Sequence, residues 1–318
     1  MLRLASDWVW DFWIADDGVD FHLFFLHASR SLGDQHKRHR NARVGHATSI
    51  DLSNWTVHPD VLGPGHTGDF DQTAAWTGSV VRGDDGLWRM FYTGASFASE
   101  WPVFTNTQTV GVATSVDLFH WERRREPIVT ADARWYETLG TSSWPEEAWR
   151  DPWVYRDTDG LWHMLLTARA NSGPDDDRGV IGHATSLDLD TWVVTPPLSA
   201  PGLGFQHLEV PQLVVAPDGR RSIVFSAPTD MLSHAAQERG LVGGIWAMGV
   251  GEPETLRLLA PQNYYSGRVI RDRAGADHLM VVLNVDSAGE FPGEISDPIP
   301  LAFRDGIPYL HETAALPL

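Results

Sequence analysis

The stretch "VGHATSIDLSNW", Val44 to Trp55, decides the fold because it returns twice. It comes back as "VGVATSVDLFHW" (Val110 to Trp121) and as "IGHATSLDLDTW" (Ile181 to Trp192). The three copies start 66 and then 71 residues apart. A shared pattern at near-constant spacing marks a repeat architecture. Upstream of each copy lies a second signature: "DGVDFHLFFLHAS" from Asp17, "DGLWRMFYTGAS" from Asp85 and "DGLWHMLLTARA" from Asp159. Asp-Gly between apolar, β-rich runs is a hairpin turn. Each unit therefore reads as strand, turn, strand, loop, a third strand on "GxATS", then "SxDLxxW" and an outer strand. Four strands in a unit of about 65 residues is the pattern of a propeller blade. Fainter fourth and fifth units run from Leu208 to Pro228 and from Tyr264 to Val285. The expected fold is all-β: residues 1–318 as one domain, a single five-bladed β-propeller with four-stranded blades and no C-terminal β-sandwich. Ser233 to Glu238 is the one short helix expected. In "SxDLxxW" the Asp is expected to cap a turn and the Trp to pack between blades.

Composition narrows the function. The 318 residues are 42% hydrophobic with a formal net charge of -18, and no basic block exceeds Arg123-Arg124-Arg125. Nucleic acid and anionic membrane are excluded as partners on that charge. There is no cysteine, hence no disulfide framework or thiol chemistry, which fits a cytoplasmic protein. Asp7 and Asp11 interrupt what would be a signal-peptide core, and "GLVGGIWAMGVG" is too short to span a bilayer. The 15 tryptophans suit sugar-stacking platforms as well as core. No cofactor is expected, and the oligomeric state is open, a dimer included.

The first strand of each blade lines the central channel, where propellers bind ligands. Unit one carries Asp11 there, unit two Asp71, Trp76 and Ser79, unit three Arg150 and Asp151, unit four His207 and Glu209, and unit five Tyr264 and Tyr265. Asp11, Asp151 and Glu209 thus come from three units at positions read as equivalent, and they converge near the axis. Three carboxylates in a partly dry pocket cannot all ionise cheaply, so at least one proton affinity should rise. Glycoside hydrolysis needs such a set: one carboxylate ionised, one acid protonated.

"VWDFWI" (Val9 to Ile14) resembles the nucleophile segment of glycoside hydrolase family 68, V-W-D-[ST]-W-P. "FDQTAAWTGSVV" (Phe70 to Val81) resembles the W-S-G-S-A segment of families 32 and 68. "WRDPWVY" (Trp149 to Tyr155) matches their Arg-Asp-Pro motif, and "LEVPQLV" (Leu208 to Val214) looks like their acid/base segments, E-C-P or E-R-P. The four occur in the family order. Phe12, Ile14, Thr77 and Val210 depart from the usual residues, which bears on the substrate more than on the chemistry. The resemblance, which extends to the related family 43, implies Asp11 as nucleophile and Glu209 as general acid/base. Asp151 would hold vicinal hydroxyls without reacting. It implies retaining cleavage of β-D-fructofuranosides, sucrose or short fructans, with fructosyl transfer as a branch. Two alternatives stay open: an inverting, family 43-like arabinofuranosidase or xylosidase with Asp11 as general base, and a sugar-binding propeller without catalysis.

Around these, Arg150 either pairs with Glu209 or binds a sugar hydroxyl. Trp76 and Ser79 either wall the substrate or pack the core. Trp10 is a stacking platform or an inter-blade wedge, and Asp71 binds sugar or caps its turn. His207 and Tyr264 complete the substrate-binding set. The basic run "GDQHKRHRNARVGH" (Gly33 to His46) either turns His36, His39, Arg40 and Asn41 toward the leaving group or is a solvated loop. No spacing dictates a metal site; Asp175-Asp176-Asp177 reads as a polar turn rather than a calcium loop.

Overall fold

The inner hairpin of every unit forms around a glycine in the left-handed region: Gly18, Gly86, Gly160, Gly219 and Gly275 have φ between 83° and 92°, a conformation other residues resist. The computed structural model describes residues 1–286 and 288–310. Blade one is β1 (Asp7–Asp16), β2 (Phe21–Ser29), β3 (Arg43–Ser49) and β4 (Thr56–Leu62). Blade two is β5 (Ala74–Arg82), β6 (Trp88–Phe97), β7 (Asn106–Ser115) and β8 (Glu122–Arg123), with β9 (Glu146–Glu147) added parallel to β7. Blade three is β10 (Trp149–Arg156), β11 (Trp162–Arg169), β12 (Gly179–Ser186) and β13 (Trp192–Thr195). Blade four is β14 (Glu209–Val215), β15 (Arg221–Ala227), β16 (Gly244–Gly249) and β17 (Glu252–Pro261). Blade five is β18 (Tyr264–Arg271), β19 (Asp277–Leu283), β20 (Glu294–Ile295), β21 (Ile299–Arg304) and β22 (Ile307–Leu310), with β20 and β21 both pairing β19. The short helix α1 (His234–Glu238) follows the N-cap Ser233. Among the described residues, three 3-10 turns supply the other helical backbone.

The inner strands β1, β5, β10, β14 and β18 each touch the next, and β18 returns to β1. The chain start fastens this ring. Leu2 exchanges backbone hydrogen bonds of 2.9 and 3.0 Å with Ile295 of blade five, and the Met1 ammonium pairs with Asp297. Apolar side chains fill the spaces between neighbouring blades, as Leu165 and Ile181 of blade three do against Phe225 and Trp246 of blade four.

The "SxDLxxW" turns behave alike in all three copies. Leu52, Leu118 and Leu189 take φ of 64°, 65° and 67°, a conformation costing about 1–2 kcal/mol for a non-glycine residue. Two effects offset it. Asp51, Asp117 and Asp188 each accept two backbone amides two and three residues on, at 2.8–2.9 Å. Each Leu is also 1% exposed, a burial worth about 1.5–3 kcal/mol. The tryptophans do pack between blades: Trp121 meets Phe24 of blade one edge-on at 5.7 Å, and Trp192 meets Phe91 of blade two at 5.5 Å.

Candidate active site

Each inner strand is broken by a β-bulge at the same level. Pairing with the second strand shifts between Trp10 and Phe12, Trp76 and Gly78, Arg150 and Trp153, Glu209 and Gln212, and Tyr265 and Arg268. Bulges re-aim side chains and often border active sites. Here they make two layers around the axis. Asp11, Thr77, Asp151, Val210 and Ser266 occupy the bulges, and Trp10, Trp76, Arg150, Glu209 and Tyr265 stand immediately before them. All but Ser266 line one pocket of about 570 Å³.

This register corrects one expectation. Glu209 is not the counterpart of Asp151; Val210 is, and Glu209 stands level with Arg150. Asp151 and Val210, both followed by proline, have φ of 59° and 53°, and Ser266 has 50°. A β-branched residue at positive φ is strained. At Val210 the strain turns the backbone amide onto Asp151 Oδ2 at 3.2 Å.

Asp11, Asp151 and Glu209 are brought together in this pocket, with different surroundings. Thr77 donates its hydroxyl to Asp11 at 2.6 Å, with the Ser266 hydroxyl alongside; burial nevertheless raises the Asp11 proton affinity. Asp151 accepts Thr167 Oγ1 at 2.7 Å. Burial, outweighing the Arg150 charge and helped by Asp11 and Glu209, lifts Asp151 to about 6. Glu209 goes the other way. Burial opposes its ionisation, but the Arg150 charge brings it down to about 2. Arg150 donates to one of its oxygens and the Tyr265 hydroxyl to the other. These surroundings hold Glu209 ionised and raise the proton affinity of both aspartates, the reverse of the order the implied roles need.

Glu146 is a fourth carboxylate in this pocket, and the sequence reading missed it. Its parallel strand lays it against β7, where it accepts Asn106 at 3.2 Å and Gln108 at 2.9 Å and sits 3.3 Å from Arg150. Arg150 thus lies between Glu146 and Glu209. Arg150 Nη2 donates to His207 Nδ1 at 3.0 Å, which makes Nδ1 the acceptor and leaves the neutral ring its proton on Nε2. Burial and the Arg150 charge lower the His207 proton affinity accordingly. Behind the carboxylates the buried Arg268 ties blades together, donating to Phe12 O at 3.1 Å and to Pro211 O at 3.1 Å. Burial brings it to about 10, while Asp151 and Asp11 sustain its charge.

Trp10, Trp76, Arg150 and His207 line the pocket as well. Three expected binding residues do not. Tyr264 is buried in the core between blades four and five, and its neighbour Tyr265 faces the pocket in its place. Ser79 is buried and accepts the Val154 amide at 3.0 Å, joining blades two and three. Asp71 is buried and taken up by Tyr92 at 2.8 Å and Arg123 at 3.0 Å. In each case the side chain is committed to blade packing.

The basic run divides. It folds into one 3-10 turn, Gln35–Arg40, capped by Asp34, and then enters β3. His36, Arg38 and His39 line the pocket. Arg38 lies 5.5 Å over Trp10 and 4.5 Å over Phe291, and burial brings it to about 10. Arg40 and Asn41 turn away: Arg40 donates to the Ser99 and Val103 carbonyls and Asn41 to Lys37 O. Asp177 accepts the Gly204 and Phe205 amides, organising the turn that holds the acidic triplet.

Fold and pocket define the class: a five-bladed propeller with a carboxylate-lined axial site. The chain belongs to glycosyl hydrolase family 32, residues 14–250 matching the model of the Glycosyl hydrolases family 32 N-terminal domain. It is 26% identical over 221 residues to a sucrose-6-phosphate hydrolase of Zymomonas mobilis, covering 66% of this chain and 40% of that protein. The chain thus spans less than half the length of this curated relative. Among solved structures, inulosucrase from Halalkalicoccus jeotgali bound to kestose superposes with TM-score 0.79 at 21% identity, covering 99% of this chain and 90% of that one. Levansucrase from Gluconacetobacter diazotrophicus gives 0.75 at 15% identity, with 97% and 81% covered. These likenesses establish the fold. No helix among the described residues is long and apolar enough to cross a membrane.

Proposed function

We propose that the chain is one catalytic propeller that cleaves β-D-fructofuranosides, sucrose or fructo-oligosaccharides, with retention and with fructosyl transfer as a branch. The observation that carries the reading is the meeting of Asp11, Asp151 and Glu209 in one axial pocket of a family 32 chain. Asp11 attacks the anomeric carbon as its bond to the leaving oxygen breaks, and that oxygen takes the Glu209 proton. Water or a sugar hydroxyl then attacks the same carbon, returns its proton to Glu209 and frees Asp11. Asp151 holds ring hydroxyls through its second oxygen, Oδ2 being occupied by Thr167 and Val210. Hydroxyls donated to the two aspartates favour their ionised forms. The leaving oxygen replaces an Arg150 or Tyr265 contact on Glu209, Glu209 takes up a proton from solvent as that stabilisation is lost, and this is the proton it gives to the leaving oxygen.

A phosphorylated leaving sugar is a second reading. It is favoured by Arg38, which lines the pocket beside His36 and forms no ion pair among the described residues. It is also favoured by the name of the Zymomonas relative.

The test is product release from sucrose, sucrose 6-phosphate, kestose, inulin and nitrophenyl arabinofuranoside, with Asp11→Asn and Glu209→Gln beside the wild type. Fructose release that falls about 10⁴-fold in Asp11→Asn and about 10²–10⁴-fold in Glu209→Gln is expected. Turnover of the arabinofuranoside alone would replace this reading with the inverting one.

A further inference from the structure

We propose that the pocket mouth carries a stacking subsite for a second sugar unit of the leaving group, built by Phe104 and Trp101 on the β6–β7 loop. The proposal rests on the fructofuranoside reading above and adds to it a preference for substrates whose leaving group exceeds one sugar.

An unbroken series of rings joins the reaction centre to the surface. It starts at Trp10, adjacent in sequence to Asp11. Trp10 contacts His39 at 6.2 Å, His39 contacts Phe104 at 6.4 Å, and Phe104 contacts Trp101 at 5.4 Å. Phe104 lines the pocket and yet is 39% exposed, and the neighbouring Val103 is 48% exposed. The catalytic carboxylates occupy the axis, where the bulges converge, so the fructosyl unit takes the inner end and the leaving group points outward. Its first unit meets Trp10, Trp76 and His39. A further unit reaches the Phe104–Trp101 ledge.

The ledge is also held in place by another blade. Arg40, from the blade-one turn, donates to Ser99 O at 2.6 Å and to Val103 O, and its guanidinium lies 4.0 Å over Phe97. The loop closes on itself through Ala98 N to Thr105 O at 3.1 Å. Large apolar side chains left exposed beside a polar pocket mark a ligand surface. Fixing them in advance removes the ordering cost of binding.

The experiment compares kcat/KM for sucrose, whose leaving group is one sugar, with that for kestose, whose leaving group is two. Wild type, Trp101→Ala, Phe104→Ala and Trp101→Phe are measured, with melting temperatures to verify folding. The expected result is an about tenfold fall in the kestose-to-sucrose ratio in both alanine variants, and a retained ratio in Trp101→Phe. An unchanged ratio, or a proportionate loss on both sugars, overturns the proposal. Wild type that cleaves sucrose but not kestose also overturns it and leaves the fructofuranoside reading standing. Wild type that cleaves neither overturns that reading, and this proposal with it.

Discussion

The "SxDLxxW" turns and the axial bulges both place non-glycine residues at positive φ, and they do so for opposite ends. In the "SxDLxxW" turns the residue is Leu in all three copies, capped by the same Ser and Asp and buried to the same 1%. At the axial bulges the backbone deviates at a common level in all five blades, but the residues are Asp11, Thr77, Asp151, Val210 and Ser266. The turn repeats because it solves one packing problem three times. The bulge varies because the five side chains must differ to make a site. Repetition of identity marks structure here, and divergence at a shared backbone position marks function.

If that division holds, changes at the bulges and at the turns should separate activity from stability. The largest stability effect is expected from Asp151→Asn. Burial raises Asp151 from 3.8 to about 6, so the folded state binds its proton more tightly than the unfolded chain does. Its ionisation therefore subtracts stability progressively between those values, and above them the full cost is about 3 kcal/mol. Asp151→Asn should melt roughly 5 °C higher at pH 7, lose that advantage at pH 3, and be nearly inactive. Calorimetry at the two pH values checks this, and equal shifts at both would break the comparison.

Next comes Asp117→Ala, which removes the cap of one turn. The Phe119 and His120 amides lose their acceptor, an expected loss of about 1–2 kcal/mol with kcat unaltered. A denaturant midpoint measured beside kcat tests the pair. A fall in kcat at matched stability would mean that the turns communicate with the site.

The smallest effect is expected from Tyr265→Phe. It takes one donor from ionised Glu209 and leaves Arg150, so the Glu209 proton affinity rises. With Glu209 at about 2 and Asp11 above its ordinary value, Glu209 sets the acidic limb of the kcat/KM profile, and that limb should move to higher pH. A limb that stays in place would show that Tyr265 acts on positioning rather than on charge.

Part of the site was legible in the chain. Asp11, Asp151 and Glu209 stand in short motifs, and strand order alone carries them to one end of the channel. The error about Tyr264 had a remedy in the sequence: aligning "YYSG" on "AWTG" sets Tyr265 over Trp76. Aligning "RDP" and "EVP" on their prolines likewise sets Glu209 over Arg150 rather than over Asp151. Glu146 had no such signal, since it lies in no repeat and reaches the pocket through a parallel pairing with a strand about 40 residues earlier in the chain. Ser79 sits on the right strand but faces the blade interior, an alternation that one residue of register reverses, and Asp71 lies in the turn before β5, where Tyr92 and Arg123 hold it.

The sequence by itself determined the repeat, the blade count, the hairpin turns and the three carboxylates, because each is written in local pattern: period, turn chemistry and motif. Tertiary structure alone decided which carboxylate is held ionised. That outcome depends on Arg150 standing between Glu146 and Glu209, on Tyr265 arriving from a fifth blade, and on burial around Asp11 and Asp151. Electrostatic energy depends on distance and burial in space, and neither is encoded in the separation of residues along the chain.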